Sequence, residues 1–237
     1  MPNNVIIFKK IKFYNWNFKN LLKKIDKGGY LVAPAASALI NISSNKKYYK
    51  ALLNSDVAIL DSGFFCILLR FFRNIEVKKF SGYLFLKKFL DLKFKENISF
   101  MLIDPSKADA KVNKLYLKKK KIKNITSYVA PFYSYKNISD IRLIKLIRKK
   151  KPRYIIINLG GEIQESLALY IKKKINFKSS IICTGAAIAF LTKRQAPINE
   201  FIDKYYLGWF MRVVYNPKKN LTRMLKSLFL IKYFIFR

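Results

Sequence analysis

The chain has 237 residues, 51% hydrophobic and 16% aromatic, and its 48 Lys and Arg against 13 Asp and Glu give a net charge of +35. Its 20 Phe and 15 Tyr supply a core and exclude a disordered basic polymer. With no histidine and two distant cysteines, imidazole catalysis is excluded and a zinc site has no ligand set.

Taken in chain order, short apolar runs alternate with longer helical patterns. A strand is predicted over 30–32, a helix over 37–53, and a second strand over 57–60. A helix over 64–72, a strand over 98–103 and a lysine-rich helix over 108–120 follow. Then come a strand over 128–130, a helix over 138–150, a continuous apolar strand over 154–158, a helix over 165–174 and a last strand over 180–183. Apolar strands separated by helices argue for an α/β fold: a Rossmann-like, mainly parallel sheet with helices on both faces. Such sheets bind ligands beyond the carboxyl ends of their strands. Cys66 and Cys183 sit in apolar runs and read as packing residues of a reduced cytoplasmic protein.

The N-terminus lacks the pattern of a secretion signal, and no stretch of about 20 apolar residues suggests a spanning helix. Beyond Asp203 the chain carries bases and aromatics with no further acid. The division expected is therefore an α/β domain over 1–200 and a basic, amphipathic, helical C-terminal appendage over 201–237. Such an appendage suits an anionic membrane surface, although a helix docked on the core has the same pattern. The charge itself reflects both a phosphate-rich partner and a composition rich in Lys, Asn, Ile, Phe and Tyr throughout.

Three strand ends carry candidate chemistry. Asp61-Ser62-Gly63 follows the second strand, where a carboxylate can serve as a general base. Taken alone, the same residues read more readily as a helix N-cap. Gly160-Gly161 with Gln164 and Glu165 follows the strand ending at Asn158, where glycines and a helix start suit a phosphate. Thr184-Gly185 repeats that logic after the last strand.

In order and spacing these segments resemble the WecG/TagA/CpsF glycosyltransferases, glycosyltransferase family 26. The resemblance is carried by Ala33-Pro34-Ala35-Ala36, Leu60-Asp61-Ser62-Gly63, Lys79-Phe80-Ser81-Gly82 and Asn158-Leu159-Gly160-Gly161-Glu162-Ile163-Gln164-Glu165. It continues through Gly185 to Phe190, Gln195-Ala196-Pro197, Gly208-Trp209-Phe210-Met211-Arg212 and Asn216-Pro217-Lys218-Lys219. It implies an enzyme: an inverting, metal-independent transferase with no cofactor. The sugar, N-acetylmannosamine-like or a related hexose, would pass from a UDP-sugar to an undecaprenyl-diphosphate-linked acceptor in cell-surface polysaccharide synthesis. It implies Asp61 as base. Pro34, Ser62, Gly63, Lys79, Ser81, Gly82, Gly160, Gly161, Gln164, Glu165, Thr184 and Gly185 would hold substrate. Trp209, Arg212, Lys218, Lys219 and Arg223 would meet diphosphate or membrane on the inner face of the plasma membrane, in a monomer or a homo-oligomer.

The chain departs from the family pattern at Ala33 and Ala35, at Lys79 in place of Arg, at Asp104-Pro105-Ser106 in place of a Gly-Gly turn, at Glu162-Ile163 in place of Pro-Lys, and at Ala189 in place of Asp. These changes suggest a different donor or acceptor, or a catalytically inactive family member. A basic nucleic-acid-binding protein is the other alternative, and no RNA-binding motif supports it.

Overall fold

A computed structural model describes residues 5–93, 98–135 and 138–235. The side chain of Lys219 and the terminal Arg237 lie outside the described residues. The strands are β1 (Val5–Phe8), β2 (Ile11–Tyr14), β3 (Gly29–Val32), β4 (Val57–Ile59), β5 (Phe100–Asp104), β6 (Ile125–Val129), β7 (Tyr154–Ile157) and β8 (Ser180–Cys183). They form one sheet in the order β1-β2-β4-β3-β8-β7-β5-β6. Every pairing is parallel except the β1–β2 hairpin at one edge. The helices are α1 (Phe18–Ile25), α2 (Ala36–Leu39), α3 (Lys46–Leu53), α4 (Gly63–Arg73), α5 (Gly82–Lys93), α6 (Lys107–Lys119) and α7 (Ile141–Lys150). They continue with α8 (Ile163–Lys174), α9 (Ala187–Leu191), α10 (Glu200–Lys204), α11 (Gly208–Tyr215), α12 (Pro217–Leu228) and α13 (Lys232–Ile235).

Alternation along the strands builds two cores, one on each face of the sheet. Val32, Ala58, Ile103, Ile155, Ile157 and Cys183 point into one; Leu31, Val57, Ile59, Leu102, Ile156 and Ile182 point into the other. Because both faces are covered, the central strands read as unbroken apolar runs, and the α/β fold read from them is what the structure has. Cys66 and Cys183 are free and fully buried.

Three local features differ from the sequence reading. The expected helix over 37–53 is divided: α2 gives way to a 3-10 turn at Ile40–Ile42, and α3 starts afresh after Asn45, whose side chain accepts from the Tyr48 amide. Asn41, Ser43, Ser44 and Asn45 cluster there, and such side chains compete with the helix for backbone partners. Asn41 and Asn45 instead donate to the Glu162 carboxylate at 2.7 and 2.9 Å. The β1–β2 hairpin turns on Lys9 and Lys10, both at positive φ (45° and 62°), a geometry usually signalled by Asn-Gly. Helices α1 and α5 were hidden by lysines interleaved with their buried positions, Leu21 and Ile25 in one and Phe85, Leu86, Phe89 and Leu90 in the other.

The C-terminal helices return to the body. Phe234 stacks on Phe8 with centroids 5.1 Å apart and lies 5.7 Å from Phe72. The Tyr233 hydroxyl donates to the Ile40 carbonyl at 2.9 Å, and Leu230 is fully buried in the same core. No helix among the described residues is long and apolar enough to cross a membrane. Leu230→Ala will therefore destabilise the fold by about 2–5 kcal/mol, the cost of truncating a buried leucine. Thermal and urea denaturation check this; an unchanged midpoint would show that the C-terminal segment is detached.

Candidate functional site

The carboxyl ends of β3, β4, β7 and β8 open into one pocket of about 740 Å³, roofed by α11 and α12. Asp61, Ser62, Gly63, Lys79, Ser81, Gly160, Gly161, Gln164, Glu165, Thr184, Gly185, Trp209, Arg212 and Arg223 all line it. Of the other expected site residues, the side chain of Lys219 lies outside the described residues and three do not line the pocket: Pro34 is buried, Gly82 meets Asp61 through its backbone amide, and Lys218 is exposed on α12.

Ser62, not Asp61, caps α4, accepting from the Phe65 amide at 3.3 Å. That frees the Asp61 carboxylate. Its Oδ1 accepts from the Gly82 amide at 2.7 Å, and no partner holds Oδ2 among the described residues. Burial raises the Asp61 pKa, while Arg212, the Gly82 amide and Lys79 pull it back down. Gly82 is tightly enclosed: a Cβ there would lie 3.1 Å from Thr184 Cβ and 3.2 Å from Ala33 Cβ, so its neighbours would have to give way slightly. Gly63 is more constrained, since a Cβ would lie 2.5 Å from the Tyr206 ring and the ring would have to move.

Lys79 is not offered to a ligand as a bare charge. Its Nζ donates to both the Asp203 carboxylate and the Asp203 carbonyl at 2.6 Å, and Ser81 Oγ donates to the other carboxylate oxygen at 2.7 Å. The pocket's open cations are arginines. Burial lowers the Arg212 pKa, Asp61 opposes that, and Arg223 stands close enough to lower it further. Arg212 Nε is buried without a partner, and its guanidinium lies 4.7 Å from the Phe190 ring centroid. Two arginines repelling each other beside a carboxylate form a site that an anion relieves.

On the α8 side, Gln164 Oε1 accepts from the Gly185 amide at 3.0 Å while its Nε2 donates to Glu165 Oε1 at 2.9 Å. Glu165 Oε2 accepts from the amide of Glu162, a residue at φ 73°. Gln164 therefore locks the Gly185 turn to the start of α8. Ala33, Ala35 and Ala189 line the wall without polar groups. Asp203, Tyr206, Asn113 and Phe190 also line the pocket and were not singled out as ligands by sequence. For Asp203 a signal existed: it is the last acid before a wholly basic segment. Asn113 shows as a polar residue at helical spacing between buried Ala110 and Leu117. Among the described residues, no three Cys, Asp or Glu are grouped to hold a metal ion.

A family model described as "Glycosyl transferase WecG/TagA/CpsF family" matches residues 6–237, nearly the whole chain. A search of the curated proteins finds no match.

Two outcomes test this geometry. Asp203→Ala strands Lys79 without its buried partner and will cost about 3–5 kcal/mol of stability. Glu200→Ala, which removes the exposed Lys87–Glu200 pair (2.6 Å), will cost under about 1 kcal/mol. Equal costs would show that Lys79 and Asp203 are solvated. Burial pushes the Glu165 carboxyl from 4.5 up to about 7. The folded state therefore keeps a proton that the unfolded state releases, and stability falls as pH rises through that window. Urea titrations across it will show a shallower fall for Glu165→Gln; an unchanged slope would assign the loss to other groups.

Proposed function

The chain belongs to the WecG/TagA/CpsF glycosyltransferase family, so it is a transferase, and we propose that it is an inverting enzyme with Asp61 as general base. The observation that carries this is the Asp61 carboxylate, held by one oxygen on the Gly82 amide with the other left to the pocket. In such a reaction Oδ2 takes the proton of an acceptor hydroxyl as that oxygen attacks the anomeric carbon of the donor sugar. The glycosyl–phosphate bond breaks, and the nucleoside diphosphate leaves with the electron pair. Arg212 and Arg223 supply fixed positive charge where the leaving diphosphate gains negative charge, an arrangement that stabilises the transition state more than the ground state. Lys79 acts on that site through Asp203, by holding the segment that carries Arg212.

The donor is proposed to be a UDP-sugar of the N-acetylmannosamine or related hexose type. The acceptor is proposed to be a sugar on a polyprenyl diphosphate in cell-surface polysaccharide synthesis. The pocket mouth supports a lipid-bearing acceptor: Ile67, Trp209 and Leu228 line it yet remain about half exposed, at 51%, 51% and 47%, with Arg223 among them. Phe71, Phe210 and Phe229 extend exposed apolar surface on α4, on α11 and after α12, interleaved with Lys218, Lys226 and Lys232. This composition suits an anionic membrane leaflet, and peripheral attachment to the inner face of the plasma membrane is part of the proposal.

Transfer is measured with a panel of UDP-sugars and a short polyprenyl-diphosphate-sugar acceptor. Asp61→Asn, folded by its thermal melt, will lose transfer about a hundred- to ten-thousand-fold. A folded Asp61→Asn variant with full activity would remove Asp61 from the base role. Arg212 is the strongest influence holding the Asp61 carboxyl down. In Arg212→Gln the acid limb of the kcat/KM profile will therefore move to higher pH, in addition to a loss of rate.

A further inference from the structure

The basic residues of this chain are not spread evenly around the sheet. Because β3, β8, β7, β5 and β6 are all parallel, their starts lie at one end of the molecule, opposite the pocket. The helices that lead into them finish at that same end, and they finish on bases. Lys23 and Lys24 close α1 ahead of β3, and Lys118 and Lys119 close α6 ahead of β6. Arg148 to Lys150 close α7 ahead of β7, and Lys172 to Lys174 close α8 ahead of β8. Lys27, Lys121, Lys123, Lys151 and Lys178 extend these runs into the turns that follow, and every base named here is exposed.

A helix C-terminus carries about half a negative charge, which one cation satisfies. Two or three bases in each last turn, with more beyond it, exceed that need. The carboxylates described at this end are Asp26, Asp56 and Asp91, and each is already engaged: Asp26 by Tyr154, Asp56 by Lys172 and Asp91 by Lys120. Among the described residues this end therefore holds a large positive surplus.

The chemistry of the surface narrows its partner. Ile67, Trp209 and Leu228, the residues that suit a membrane, surround the pocket mouth, so a leaflet met there leaves the starts of β3 to β6 in solution. A protein interface is centred on aromatics and arginines and is poor in lysine. Here lysine outnumbers arginine, and none of the exposed large apolar residues falls within 23–27, 118–123, 148–151 or 172–178. Single-stranded nucleic acid is held by stacking on exposed aromatics, which these segments also lack. The surface suits a regular phosphate backbone met by mobile ammonium groups. From β3 to β6, four strand spacings of roughly 4.8 Å carry the basic row about 19 Å. A duplex presents one charge per ~1.7 Å of its axis, so about 11 phosphates fall within that length.

We propose that this end of the sheet is a second functional surface, separate from the transfer site, which binds the phosphate backbone of double-stranded nucleic acid without reading its sequence.

The whole chain is titrated with two DNA duplexes of about 20 base pairs and unrelated sequence, across a range of salt. Both will bind with the same affinity, and the logarithm of the association constant will fall linearly with that of the salt concentration. Lys24→Gln, Lys119→Gln, Lys149→Gln and Lys173→Gln combined will reduce that slope by about 3 and weaken binding at least about tenfold at physiological salt. Lys204→Gln, Lys218→Gln, Lys226→Gln and Lys232→Gln combined remove the same charge from the exposed C-terminal segment and will keep the slope within about one unit. Equal losses from the two variants would show attraction to net charge alone and overturn the surface. A preference of about tenfold or more between the duplexes, the mark of base readout, would overturn it too. Tighter binding of polyglutamate than of duplex at equal charge concentration would assign this end to an acidic protein instead.

Discussion

Asp203 holds the architecture of the pocket together. It stands just ahead of the basic C-terminal segment, and its carboxylate is shared between Lys79 and Ser81, with Lys79 Nζ at 2.6 Å and Ser81 Oγ at 2.7 Å. Those two partners lie immediately before α5, whose first amide, at Gly82, fixes Asp61. One buried carboxylate therefore ties together the loop that orients Asp61 and the segment that brings Arg212 to it. The pocket exists because a cationic tail, which the charge of the whole chain would push outward, is anchored at its root and again by Leu230 and Phe234 in the core.

The few acids of this chain explain why its electrostatics are so uneven. Asp61, Asp104, Asp140, Asp203 and Glu165 are engaged in or under the interior, each with backbone or side-chain donors. Asp140, for example, accepts from the Tyr128 and Tyr133 hydroxyls at 2.7 Å and caps α7. The lysines are distributed mostly over the outer helices. The interior is thus organised by scarce negative charge and the exterior by abundant positive charge. An anion entering the pocket would meet Arg212 and Arg223 and relieve their mutual repulsion. Such a field accelerates encounter with any polyanion.

Legibility in the sequence differed sharply between elements. The central strands were plain because burial on both sheet faces makes each a continuous apolar run. The hairpin turning on Lys9 and Lys10 was not, because its positive φ angles are imposed by strand twist on residues that carry no turn signature. The break inside 37–53 had a local cue in Asn41 and Asn45, but their partner Glu162 lies far along the chain. Asp61 and Gln164 stood out as motif positions at strand ends. The motif did not reveal that Gln164 is occupied by Gly185 and Glu165, nor that Lys79 is matched by Asp203.

By itself, the sequence determined the class of fold and the family, because apolar periodicity and ordered short motifs are properties of the linear chain. Tertiary structure alone decided which charges are free. A side chain's charge acts on a ligand only after its partners are counted, and the partners of Lys79 and Asp61 come from segments that only folding brings together.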